Sequence, residues 1–259
     1  MTEIIAVVNQ KGGVGKTTTS INVAACLATA GKRTLLIDAD SQGNSTSGLA
    51  ISKKNLTKNF YHYLIEGEAL ENIIMETPVT DLHIVPANLD LLGINQDLMN
   101  LESRETHLRD LLTNSFAENK NFYDFIIIDA PPNLDMMFIN IMAAATRIII
   151  PTLPEYLALE GLADLIDTYR RIRETINPNL SILGVLITKH SSTNNLSKEV
   201  TANLRNNMGP LVFNTVIPQN VRVAEAPSFC LPIILYDPKS SGSISYQMLS
   251  REILDRLGQ

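Results

Sequence analysis

The chain has 259 residues, 45% of them hydrophobic, enough to bury one large core. A formal net charge of −6 excludes a generally basic nucleic-acid coat, but the charge is uneven. Residues 1–180 carry 14 lysines and arginines against 22 acids, whereas residues 181–259 carry seven against five, which allows a local basic face in the C-terminal third. Cys26 and Cys230 have no metal-ligand spacing, and Cys26 sits in an apolar helical run as a small core residue. The four histidines are scattered, so a zinc site is not expected. No signal peptide precedes the first apolar run, and no run reaches the roughly 18 residues of a membrane span, so a cytoplasmic protein is expected.

The first strand is expected at Ile4–Val8, followed by Gln10-Lys11-Gly12-Gly13-Val14-Gly15-Lys16-Thr17-Thr18 and a helix over Thr17–Ala30. A glycine-rich turn between strand and helix lets backbone N–H groups approach a polyphosphate, and the helix N-terminus adds partial positive charge. Lys16 is placed to reach the β- and γ-phosphates and Thr17 to ligand Mg²⁺. Gln10 stands where the standard loop has its first glycine, and Lys11 is an extra lysine at the start of the loop.

Further strands are expected at Thr34–Asp38, Leu82–Pro86, Phe125–Asp129, Ile148–Pro151, Leu183–Thr188 and Phe213–Ile217. Helices are expected at Leu157–Asn177 and Leu196–Met208. Apolar strands alternating with helices predict an α/β fold, a doubly wound and mostly parallel twisted sheet flanked by helices, with ligands at the carboxyl ends of the strands. No repeat or linker interrupts residues 1–259, so a single P-loop domain is expected, with no room before the loop for an N-terminal DNA-binding domain.

Two carboxylate segments fall at strand ends. Four apolar residues running into Asp129 form a Walker B arrangement, holding a carboxylate near the metal and its waters. Asp38 and Asp40 alternate along an extended chain, so one is expected to face the nucleotide and the other to brace the loop. A carboxylate beside the γ-phosphate can orient the attacking water.

These residues resemble the ParA/Soj partitioning ATPases, within the wider MinD/ParA group of deviant P-loop proteins. KGGVGKTT at 11–18 is similar to the deviant Walker A, DADSQGNSTSGL at 38–49 to switch I, and IIIDAPP at 126–132 to Walker B. VIPQNVRVAEAPS at 216–228 and PIILYDPKSSGS at 232–243 narrow the resemblance to ParA/Soj. The resemblance implies a Mg²⁺-dependent, ATP-hydrolysing enzyme that forms an ATP-dependent homodimer. Its nucleotide would be held by Lys11, Gly12, Gly13, Val14, Gly15, Lys16, Thr17 and Thr18, with Pro218 and Asn220 at the adenine. Thr17 would hold the metal, Asp129 would act through its water shell, and Lys11, Lys16 and Asp40 would be catalytic, with Lys11 reaching the partner's nucleotide.

The resemblance also implies non-specific DNA binding, a ParB-like activator, a nucleoid-associated location and a role in chromosome or plasmid segregation. The arginine that relatives carry near Thr193 is absent, which leaves Arg222, Lys189 and Lys198 as the expected DNA contacts, with Arg205 and Lys239 as further basic groups. Ser41 replaces a frequent proline. The alternative is a positioning ATPase for a membrane-associated or protein cargo. Its membrane form needs a basic amphipathic tail, whereas residues 248–259 have balanced charge and an apolar stripe of Leu249, Ile253 and Leu257. A tail helix docked on the domain is therefore expected, with no stable membrane association.

Overall fold

The computed structural model describes residues 2–118 and 123–259. Its sheet has seven strands: β1 (Glu3–Val7), β2 (Thr34–Asp38), β3 (Met75–Glu76), β4 (Leu82–Val85), β5 (Phe125–Asp129), β6 (Arg147–Thr152) and β7 (Ser181–Ile187). Their order is β3-β4-β2-β5-β1-β6-β7, parallel throughout except for the antiparallel edge strand β3. The first half of the chain supplies helices α1 (Lys16–Thr29), α2 (Asn44–Gly48), α3 (Phe60–Ile65), α4 (Ile94–Met99) and α5 (His107–Glu118). The second half adds α6 (Met136–Ala144), α7 (Tyr156–Thr175), α8 (Asn195–Met208), α9 (Val221–Glu225), α10 (Ile233–Tyr236) and α11 (Ser241–Leu257). This is the doubly wound arrangement expected from the strand–helix alternation.

Successive strand residues feed opposite faces of the sheet, which is why the central strands are apolar at nearly every position. Ile126 and Ile128 join Ala6, Leu35 and Ile37 in one buried cluster, covered by residues such as Phe60, Leu112, Ile141 and Leu165. Phe125 and Ile127 join Ile5, Val7 and Leu36 in the other, covered by Val23 and Leu27 of α1 and by Leu249 and Ile253 of α11. The apolar stripe of the tail is thus spent on the core. No helix among the described residues is long and apolar enough to cross a membrane.

Two elements depart from expectation. β3 was not foreseen; it is two residues long and both are exposed, so it leaves no apolar run in the sequence. Phe213–Ile217 does not form a strand. The segment meets β7 at its ends, where Phe213 N–H donates to Val185 O (3.0 Å) and Ile217 N–H donates to Ile187 O (2.9 Å). Between them the amides of Asn214 and Thr215 donate to the Glu252 carboxylate at 2.8 and 2.9 Å, which removes them from any ladder.

Gly184 of β7 lies directly beneath the fully buried Phe213 ring, and a Cβ there would overlap ring carbons. Gly184→Ala is expected to destabilise the fold by about 1–3 kcal/mol, because a close-packed ring must shift. Urea unfolding checks this: the midpoint should fall, and an unchanged midpoint would show that the ring yields freely.

Candidate nucleotide site

The register of the sheet assembles the site. Val7, at the end of β1, is level with Asp129 of β5, and Asp129 is level with Asp38 of β2. The loop after Val7 therefore leaves the sheet beside two carboxylates.

Long-range bonds hold that loop. Buried Asn9 donates from Nδ2 to Pro151 O (2.7 Å) and accepts the Lys11 N–H at Oδ1 (2.9 Å). Thr188 Oγ1 donates to Val14 O (2.8 Å), and Lys189 Nζ donates to Gly13 O (2.8 Å). Gly13 (φ 74°) and Gly15 (φ 90°) take the left-handed conformation that suits glycine. A Cβ at Gly12 or Gly13 would meet no atom within 4 Å, so the loop's rim is open to a ligand. No side chain caps α1 at Gly15, and its first-turn amides open toward this loop.

Below the loop the groups are buried and charged. Lys16 is 8% exposed, and its Nζ lies 3.4 Å from Lys11 O. Burial lowers its pKa, opposed by the charges of Asp129 and Asp40. Asp129 is fully buried and accepts Ser20 Oγ (3.1 Å) and Ser45 Oγ (2.8 Å). Asp38 is fully buried and accepts the N–H and hydroxyl of Thr46 at 2.8 and 2.7 Å. Burial pushes both carboxyls above the usual range, and the charge of Asp129 raises Asp38 further. Asp38 is therefore the residue that braces the loop. Asp40 is partly exposed, accepts Gln42 N–H (2.9 Å), and is close enough to act electrostatically on Lys16 and Asp129.

Beside the loop is a largely apolar cavity of about 420 Å³, lined by Gly15, Thr18, Thr188, Pro218, Val223 and Tyr246 among others. Its size and apolar walls suit a flat aromatic base next to the phosphate loop. Asn220 also lines it, but its side chain is committed: Oδ1 accepts the Arg222 and Val223 amides, capping α9, and Nδ2 donates to Ser241 Oγ (2.8 Å). Thr188, Tyr246, Asn9, Ser20, Ser45 and Thr46 were not singled out from the sequence. Only the hydroxyls at 45 and 46 carried a signal, as part of the loop after Asp38.

Lys11 does not point into its own loop. Its ammonium pairs with Glu155 Oε2 at 2.8 Å, with both side chains partly exposed. Of the expected DNA contacts, Lys189 is tied to the P-loop, and Lys198 is exposed on α8. Arg222 is exposed on α9 and pairs with Glu225 (3.0 Å) and Asp237 (3.6 Å).

A family model described as an AAA domain matches residues 2–182. The chromosome partitioning protein ParA of Myxococcus xanthus is 45% identical over 253 residues, covering 98% of this chain and 88% of that protein. The sporulation initiation inhibitor protein Soj of Bacillus subtilis is also 45% identical, covering 98% of each chain. The chain belongs to the ParA/Soj family of partitioning ATPases. The chromosome-partitioning ATPase Soj of Treponema pallidum, 44% identical over 260 residues, covers the whole of both chains.

Among solved structures, cobyrinic acid a,c-diamide synthase from Mycobacterium smegmatis with bound ADP and magnesium is similar. It has a TM-score of 0.85 and 30% identity, over 100% of this chain and 96% of that one. MinD from Pyrococcus horikoshii complexed with Mg-ADP shares the fold at a TM-score of 0.79 and 23% identity, over 100% and 98%. ParA/Soj membership and the buried Lys16 together give a direct expectation. Lys16→Ala should abolish tight nucleotide binding while the fold persists, measured by fluorescent-nucleotide titration; unchanged affinity would remove Lys16 from the phosphate site.

Proposed function

We propose that this chain is a Mg-ATP-dependent dimerising ATPase that binds DNA without sequence preference and drives chromosome or plasmid segregation, with hydrolysis resetting the dimer. The observation that carries this reading is the division of labour between the two loop lysines. Lys16 is buried within its own site, whereas Lys11 stands at the rim on a partly exposed ion pair with Glu155. An exposed pair is weakly held, on the order of 0–1 kcal/mol, so Lys11 is free to move to a stronger anion.

The loop amides and Lys16 bind the phosphates. The donor set suits a hard divalent cation, since Thr17 and Asp129 offer oxygen ligands, the latter already oriented by Ser20 and Ser45. Thr17 would hold Mg²⁺ and Asp129 would act through its water shell; the ion, when bound, would withdraw charge from the terminal phosphates. Asp40 orients water for attack on the γ-phosphorus, and the bond to the ADP oxygen breaks. The partner subunit's Lys11 neutralises charge that accumulates during transfer. Loss of the γ-phosphate removes the anion that held Lys11 across the interface, so the nucleotide biases a two-state assembly.

The C-terminal third, with its basic excess, would face DNA through Arg222, Lys198 and Lys189, and a ParB-like protein would stimulate hydrolysis on the nucleoid. A single domain spanning 1–259 suffices for this cycle. Burial of Leu249 and Ile253 argues against a membrane role for the tail.

Asp40→Ala should still dimerise on ATP, yet its turnover should fall by at least about 100-fold, the scale of a lost water-positioning group. Near-normal turnover removes Asp40 from that role. The same variant should bind random duplex DNA tightly only with ATP, and ever more weakly as salt rises. Absence of DNA binding in every nucleotide state, with dimerisation intact, would redirect the switch to a protein or membrane cargo.

A further inference from the structure

A further opening lies away from the nucleotide site. It lies at the opposite end of β7, where Ser181 begins the strand, while Thr188, just past its end, lines the nucleotide cavity. Seven residue steps at about 3.3 Å separate the two by about 23 Å. This open cleft has a volume of about 760 Å³ and is lined by three arginines, Arg147, Arg205 and Arg256, together with Ser181 and Asn214.

The arginines are not equivalent. Arg256 is fixed in the floor. It donates to Leu183 O (2.8 Å), Val212 O (3.0 Å) and Glu252 Oε1 (2.8 Å), and its guanidinium lies 4.2 Å from the Phe213 ring centroid. Glu252 is already occupied by Arg256 and by the Asn214 and Thr215 amides, which leaves it little capacity for a second guanidinium. Among the described residues, Arg147, which opens β6, donates only to Thr146 O (3.1 Å), and Arg205, on α8, donates only to Asn214 O (3.0 Å). Neither forms an ion pair among the described residues. Glu3, on the neighbouring strand, accepts the Thr146 hydroxyl (2.7 Å).

Arg147 and Arg205 thus face one concave opening from separate walls, each with donors to spare, above a third guanidinium held rigidly. Guanidinium forks select phosphate or carboxylate oxygens, and two forks on separate walls call for anionic groups in series rather than a single one. We propose that this cleft is a second anion site, distinct from the P-loop, that takes a small oligophosphate ligand.

The test uses the full chain saturated with Mg-ADP, so that the P-loop is filled, and titrates inorganic pyrophosphate calorimetrically at constant Mg²⁺. The wild type should bind pyrophosphate in addition to ADP. Arg147→Gln and Arg205→Gln should each weaken that binding by at least about tenfold, the scale of a lost charge-assisted fork. Their melting temperature and Mg-ADP affinity should be unchanged, which establishes that they fold. Lys16→Ala without ADP should keep the pyrophosphate site, separating it from the P-loop reading. Equal binding by the arginine variants, or none by the wild type at millimolar pyrophosphate, overturns the proposal. So does arginine-dependent displacement of pyrophosphate by random duplex DNA, which would assign the cleft to the nucleic-acid surface.

Discussion

Three ionisable groups buried around one rung of the sheet set the terms for the rest of the site. Lys16, Asp38 and Asp129 are each less than a tenth exposed, and Asp38 and Asp129 are level on neighbouring parallel strands. An uncompensated buried charge costs about 3–5 kcal/mol, so such groups persist only with partners. Asp38 is compensated by the N–H and hydroxyl of Thr46. Asp129 has two serine hydroxyls, and Lys16 has one long contact to a carbonyl. In the proposed site a metal ion and a polyphosphate would complete this charge together, the cation relieving the carboxyls and the phosphates the lysine.

The same constraint explains the loop's anchors. A lysine on a glycine-rich turn is useful only if the turn keeps one shape, and glycines alone do not provide that. Here the shape comes from outside the loop, from Asn9 reaching Pro151 and from Thr188 and Lys189 holding the carbonyls of Val14 and Gly13. The Thr188–Lys189 segment connects β7 to the wall of the apolar cavity. The residues that fix the loop thus also border that cavity. Lys189 joins this scaffold through its bond to the Gly13 carbonyl.

What was legible in the sequence was what is local in it. The run from β1 through the loop into α1, and the four apolar residues ending in Asp129, are each contiguous and carry their chemistry in their spacing. The strand ends at Asp38 and Asp129 were placed to the residue, because an acid closing an apolar run marks the end of the strand, even though both acids are buried. Pairings across the fold had no such signature. Lys11 meets Glu155 across 144 positions and Thr188 meets Val14 across 174, and nothing in either neighbourhood announces the other. Phe213–Ile217 looked like a strand for a related reason: its β-prone residues are genuine, but Glu252 on a distant helix takes two of its amides.

Lys11 connects these observations to assembly. Resting on Glu155, it leaves the phosphate loop to Lys16, and in the proposed dimer reaching the other subunit's phosphates requires that the exposed pair break. Sedimentation velocity of the chain with Mg-ATP and with Mg-ADP reads this directly. A dimer with Mg-ATP and a monomer with Mg-ADP is the expected pair of results, with Lys11→Ala monomeric in both. A chain that is monomeric with Mg-ATP, or equally dimeric with either nucleotide, would contradict a γ-phosphate-dependent switch.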